Sequence, residues 1–133
     1  MKTKARRVQR RRTPPSHVDR PDWGWSKNGK PVPAILADIV KAVVRTAEPE
    51  KIVLFGSAAR EEMGPDSDYD LLVIKGGKFN HWRVLDDIYE NLRDVEAPVD
   101  VVLATPEVIE RYGNSFCLVY YPALREGKVL YAA

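Results

Sequence analysis

Two hydrophobic rhythms alternate along the chain from residue 33 onward. Ile35, Leu36, Ile39, Val40, Val43 and Val44 recur at i, i+3/i+4, which predicts an amphipathic helix over about 33–47 with Pro49 just past its end. Ile52-Val-Leu-Phe55 is wholly apolar and β-favouring and stops at Gly56, the pattern of a buried strand. Tyr69 to Ile74 is a second such run, closed by the turn pair Gly76-Gly77. Helical spacing returns with Trp82, Leu85, Ile88, Tyr89, Leu92 and Val95 on one face, behind Asn80 as N-cap. Val99 to Leu103 is a third strand.

Thr105-Pro106-Glu107 is a cap-then-proline helix start, with Gly113 as the stop. Phe116 to Glu126 has helical character, and Pro122 is expected to kink or interrupt it. Lys128 to Tyr131 forms a final short strand. The alternation predicts an α/β or α+β domain with three or four strands.

Before residue 33 the rhythm is absent. Residues 1–30 carry ten Lys/Arg against two Asp, a net +8, while residues 31–133 carry eleven against seventeen acids, a net −6. The chain therefore reads as a basic leader (1–32) ahead of a mildly acidic domain (33–133). Four prolines, high charge and few aliphatic side chains leave the leader little surface to bury, so much of it is expected to be flexible. Trp23 and Trp25 point to its end folding back onto the domain. The run Arg6–Arg12 has the chemistry to contact nucleic-acid phosphates, but a solvated tail or an arm ordered by an acidic partner fits it equally, and such runs are unspecific.

Composition narrows the chemistry. The 133 residues, 44% apolar and 30% charged, suffice for one core. The longest uncharged apolar run, Phe116 to Leu124, is nine residues, about half of what crosses a bilayer, and no apolar stretch follows the basic N-terminus as in a secretory signal. A cytoplasmic protein with no membrane partner is expected. One cysteine, Cys117, excludes an internal disulfide and a cysteine-built zinc site, and His17 and His81 are too separated for a histidine cluster. Phe116, Cys117, Leu118 and Tyr121 read as core or partner-facing packing, and His81 as a surface residue. Tyr112, Tyr120 and Tyr131 are candidate acceptors of self-modification among which the sequence does not choose. Gly24 to Lys30 matches the spacing of a phosphate-binding P-loop, but no strand precedes it and Pro31 stands where a metal-binding hydroxyl is required, so the match is accidental.

The informative segment runs from Phe55 to Val73. A buried strand leads directly into Gly56-Ser57, and ten residues later Asp68 and Asp70 stand at the head of the next strand. Glycine allows close approach of a phosphate to the backbone, and the Ser57 hydroxyl can bond a phosphate oxygen. A helical turn beginning at Ser57 would add free N–H groups, and Arg60 would offer its donor fork to the same charge. Asp68 and Asp70, two positions apart, leave a strand from one face. Asp100 is the second residue of the third strand, and if that strand neighbours the second its carboxylate joins the pair. Three convergent carboxylates repel one another unless a divalent cation is bound, and magnesium favours such oxygen donors together with substrate phosphates. Taken singly these residues have ordinary readings, a common turn and a solvated acidic loop. Their coincidence in one order and spacing is what carries weight.

That order resembles the signature of the DNA polymerase β-like nucleotidyltransferases: Gly-Ser, a ten-residue gap, Asp-x-Asp, and a third acid on a later strand. The size and the ending Leu-Arg-Glu-Gly-Lys-Val-Leu-Tyr resemble the minimal nucleotidyltransferases, and the resemblance spans about residues 33–133. It implies a small mixed sheet flanked by helices. It implies metal binding by Asp68, Asp70 and Asp100, which are also the candidate catalytic residues. Gly56, Ser57, Arg60 and Ser67 fall on the nucleotide side. The implied reaction is metal-dependent attack of a hydroxyl on the α-phosphorus of ATP, with two Mg²⁺ ions and Asp100 as base or metal ligand. Members of this branch typically pair with a HEPN-type ribonuclease toxin, so the resemblance implies an antitoxin that adenylylates a tyrosine of its partner. The alternatives are an antitoxin that masks the toxin by binding alone and a transferase for a small molecule such as an aminoglycoside. One departure stands out: Glu61 occupies a position where members often have glycine.

Overall fold

A computed structural model describes residues 26–112 and 120–133. Residues 1–25 of the leader, with Arg6–Arg12, His17, Trp23 and Trp25, lie outside the described residues, as do Gly113 and Phe116 to Val119 with Cys117.

A two-residue hairpin comes first, β1 (Ser26–Lys27) and β2 (Lys30–Pro31). It turns on Asn28 and Gly29, whose φ values of 55° and 81° are the pair that a hairpin turn with the native twist requires. The last residues assigned to the flexible leader are therefore folded here. The hairpin is tied to the domain by Met63 N donating to Gly29 O at 2.9 Å. Gly29-Lys30 belongs to a β-turn and strand, which agrees with rejecting a P-loop.

Helix α1 (Pro33–Ala47) starts with proline at its first position and buries Ile35, Ile39, Ala42 and Val43. It ends at Glu48, left-handed at φ 48°, whose N–H returns to Val44 O. Lys75 Nζ donates to Ala47 O at 2.7 Å and adds a cation at the helix C-terminus. Strand β3 (Lys51–Phe55) runs into the short helix α2 (Gly56–Arg60), followed by β4 (Tyr69–Ile74), α3 (His81–Asn91), β5 (Val99–Ala104), α4 (Pro106–Tyr112), α5 (Tyr120–Glu126) and β6 (Lys128–Ala132).

The four long strands form one mixed sheet in the order β5-β4-β3-β6. β3 pairs antiparallel with β4 and β6, and β4 pairs parallel with β5 across the α3 crossover. Side chains alternate across the sheet as the period of two demands. Ile52, Leu54, Leu71, Val73, Val99, Val101 and Leu103 face α1 and α3 in the main core. Val53, Leu72, Ile74 and Ala104 face the smaller cluster under α4 and α5. The fold is thus the mixed α+β sheet expected, with four strands. No helix among the described residues is long and apolar enough to cross a membrane.

One local expectation needs correction. Trp82 was placed on the buried face of α3, yet it is 61% exposed, edge-to-face with His81. It sits in the first turn of α3, one turn ahead of the first buried position, Leu85. The expected helical stretch from Phe116 lies in part outside the described residues; within them α5 runs unbroken from Tyr120 through Pro122 to Glu126.

Candidate active site

The site is built at one end of the sheet from three consecutive decisions of the chain. Phe55 ends β3 in an extended conformation (φ −137°, ψ −171°), and Gly56 turns the chain with φ 73°. An L side chain is strained there, and a Cβ on Gly56 would overlap Oδ2 of Asp70, the residue after next-strand Tyr69. Glycine is required twice over: for the turn, and for the approach of the carboxylate. Asp70 lies opposite Phe55 in the β3–β4 register.

Asp70 and Asp100 are direct partners in the parallel β4–β5 ladder, so their carboxylates leave the sheet side by side. Asp68 precedes the strand with the same parity. The structure brings all three together: one ligand oxygen from each lies within 4.8 Å of the other two, and all three residues are half-buried. This donor set fits a hard divalent cation. Magnesium takes carboxylate oxygens at about 2.1 Å, so oxygens around one ion lie roughly 3–4 Å apart, within small side-chain adjustments of this cluster. Three acids from adjacent strand heads, rather than one loop, also give the cluster a rigid base.

Tyr69, between the two aspartates, points to the other face. It is fully buried, and its hydroxyl accepts from Val32 N at 2.9 Å, joining the start of α1 to the head of β4. Burial pushes its hydroxyl up to about 12, partly offset by that backbone hydrogen bond.

The remaining candidates take up positions around this centre. Ser57 is half-buried in the first turn of α2, and its carbonyl accepts from Glu62 N. Ser67 Oγ accepts from Gly64 N at 2.8 Å and fixes the turn that delivers Asp68. Arg60, expected to face phosphate, ends α2 on the surface with Nε donating to Glu62 at 3.1 Å. Glu61 is left-handed at φ 61° and closes α2: its N–H returns to Ala58 O and that of Glu62 to Ser57 O. This paired closure favours glycine at the left-handed position, which explains the residue type usual there. The Glu61 carboxylate is paired with Lys128 Nζ at 3.4 Å.

Sequence reasoning missed one contributor. Tyr89 read as an apolar-face residue of α3, but its hydroxyl meets β5, accepting from Val101 N at 2.8 Å and donating to Asp100 Oδ1 at 3.3 Å. A buried tyrosine hydroxyl needs a partner, and that was the available signal. Which partner it finds depends on the crossover geometry.

Comparison with known proteins agrees with this geometry. No curated protein matches the sequence. Among solved structures, the chain resembles a presumed nucleotidyltransferase from Sulfolobus solfataricus, with a TM-score of 0.51 and 17% identity, covering 96% of this chain and 87% of that one. At that identity the likeness concerns the fold. The family profile described as "Polymerase beta, Nucleotidyltransferase" matches residues 37–133, a span that holds every strand of the sheet, the Gly56 turn and all three aspartates. The chain belongs to the polymerase β-type nucleotidyltransferase family.

Proposed function

We propose that this chain is a metal-dependent nucleotidyltransferase that moves AMP from ATP to a tyrosine hydroxyl of a HEPN-type toxin and thereby acts as its antitoxin. The observation that carries the catalytic part is the convergence of Asp68, Asp70 and Asp100 beside the Gly56 turn. In this reading the acceptor oxygen attacks the α-phosphorus, the new P–O bond forms, and the bond to the β-phosphate oxygen breaks to release pyrophosphate. Divalent cations bound here, Mg²⁺ in the first instance, supply activation of the attacking hydroxyl and neutralisation of the leaving oxygens.

The chain's own residues position the reactants. Asp68 and Asp70 would hold a cation that neutralises the triphosphate, with Gly56 and Ser57 beside them to line its approach. Asp100, beside Asp70 on the next strand, stands toward the acceptor and takes its proton or orients it. Preorganised carboxylates on rigid strand ends need little rearrangement during the reaction. The Glu61 charge is matched by Lys128, which favours an active enzyme over a mask that only binds.

The test uses the purified full chain with α-labelled ATP and Mg²⁺, together with a purified HEPN-type ribonuclease toxin as the acceptor protein. Label is expected on a partner tyrosine, lost with EDTA and in Asp68→Asn and Asp70→Asn. Transfer that persists in either variant would remove the catalytic assignment. Transfer to a small hydroxyl compound, with none to protein, would replace the acceptor.

A further inference from the structure

The open edge of β5 poses a question that the three aspartates do not answer. In a parallel pair alternate residues turn both backbone groups to the neighbouring strand. On β5 these include the even-numbered positions: Pro98 O accepts from Tyr69 N and Ala104 O accepts from Lys75 N. Val101 therefore directs its N–H away from the sheet, where among the described residues no further strand pairs with it in the order β5-β4-β3-β6. The Tyr89 hydroxyl takes that place, accepting from Val101 N at 2.8 Å.

This bond has a directional consequence. The hydroxyl has a single proton, and the acceptors it faces include Asp100 Oδ1 at 3.3 Å and Val101 O at 3.5 Å. The carboxylate is both nearer and charged, so it is the preferred acceptor. The ring is held in the main core on α3 and is 9% exposed, which leaves the hydroxyl little freedom to turn away. Asp100 thus receives a donor held by the core, and one of its carboxylate oxygens lies in the cluster with Asp68 and Asp70.

We propose that Tyr89 is a positioning residue for the third acid: anchored on the Val101 N–H, it holds the Asp100 carboxylate toward Asp68 and Asp70 and so sets the affinity of the cluster for divalent cations. The proposal rests on the reading of these three acids as a metal site. Outer partners of metal ligands act in this way, and their loss typically weakens binding about 10–100-fold.

The experiment measures Mn²⁺ alone, by titration calorimetry and electron paramagnetic resonance, on the full chain and on Tyr89→Phe, Asp100→Asn, Asp70→Asn and the Tyr89→Phe/Asp100→Asn double variant. Phenylalanine keeps the ring in the core, and urea midpoints report any loss from the unpaired Val101 N–H separately. Tyr89→Phe is expected to weaken Mn²⁺ about tenfold, but to change affinity less than about twofold once Asp100 is asparagine, because the two act as a unit. Mn²⁺ affinity in Tyr89→Phe within about twofold of the parent, or the same loss in both backgrounds, would overturn the proposal. If the parent chain binds no Mn²⁺, or Asp70→Asn binds as well as the parent, the metal-site reading itself fails before Tyr89 is considered. Should Tyr89→Phe unfold, Tyr89→Trp supplies a second ring without the hydroxyl and the same two comparisons.

Discussion

Gly56 and Asp70 approach across the β3–β4 pair so closely that a single methyl group on the glycine would occupy the space of the Asp70 carboxylate. Gly56→Ala should therefore act on the site and on the backbone together. Alanine at φ 73° is strained by about 1–2 kcal/mol, and Asp70 must also rotate away from Asp68 and Asp100. Because displacement of about 1 Å can lower a reaction rate by about 10²-fold, transfer should fall by at least that factor while the chain stays folded in circular dichroism. Activity within tenfold of the parent would mean that the Asp70 position matters less than the geometry indicates.

The acid cluster should show opposite effects with and without metal. In EDTA, Asp70→Asn removes one of three mutually repelling charges, so the urea midpoint should stay level or rise. With Mg²⁺ at about ten times its dissociation constant, the parent should gain about 1.4 kcal/mol from binding to the folded state alone, and the variant should not. Equal Mg²⁺ stabilisation of both would place the ion elsewhere.

How much of this was legible beforehand differs between backbone and side chains. The rhythms of Ile35–Val44 and Ile52–Phe55 fixed α1 and β3 almost to the residue, because each buries a face whose periodicity has one solution. Asp68, Asp70 and Asp100 could be nominated from spacing, since their parity and strand positions follow from the pattern. Their convergence required β4 and β5 to be parallel neighbours in the register Asp70–Asp100, a tertiary fact. Trp82 misled because helical periodicity does not say how far along a helix its apolar face is covered. Tyr89 hid for the reverse reason: its ring obeys the apolar pattern, and only the β5 edge reveals what its hydroxyl does.

Glu61 offers a third test, on the closure of α2. Its left-handed backbone (φ 61°) disfavours any residue with a Cβ, by about 1 kcal/mol relative to glycine. The ion pair with Lys128 that Glu61→Gly would lose is half-exposed, hence worth at most a few tenths of a kcal/mol after screening. Glu61→Gly should accordingly be more stable by about 0.5 kcal/mol in urea, with ATP turnover unchanged or raised. A loss of stability larger than about 1 kcal/mol would assign the Lys128 pair a greater role than its exposure permits.

Tyr69 links alkaline stability to the join between α1 and the head of β4. Burial raises its hydroxyl from 10.0 to about 12 in the folded chain. Because the folded value lies above the unfolded one, its contribution is complete below pH 10 and is lost as pH rises toward 12. Two units correspond to about 2–3 kcal/mol. Tyr69→Phe removes this titration and also the acceptor for Val32 N, so the variant should be about 1 kcal/mol less stable at pH 8. Between pH 9.5 and 11.5, however, its urea midpoint should fall less steeply than that of the parent. Other tyrosines and lysines titrate in both chains and cancel in the comparison. Parallel declines would show that the Tyr69 hydroxyl ionises without cost in the folded state, and that the contact with Val32 does not tie the helix start to the strand that carries Asp68 and Asp70.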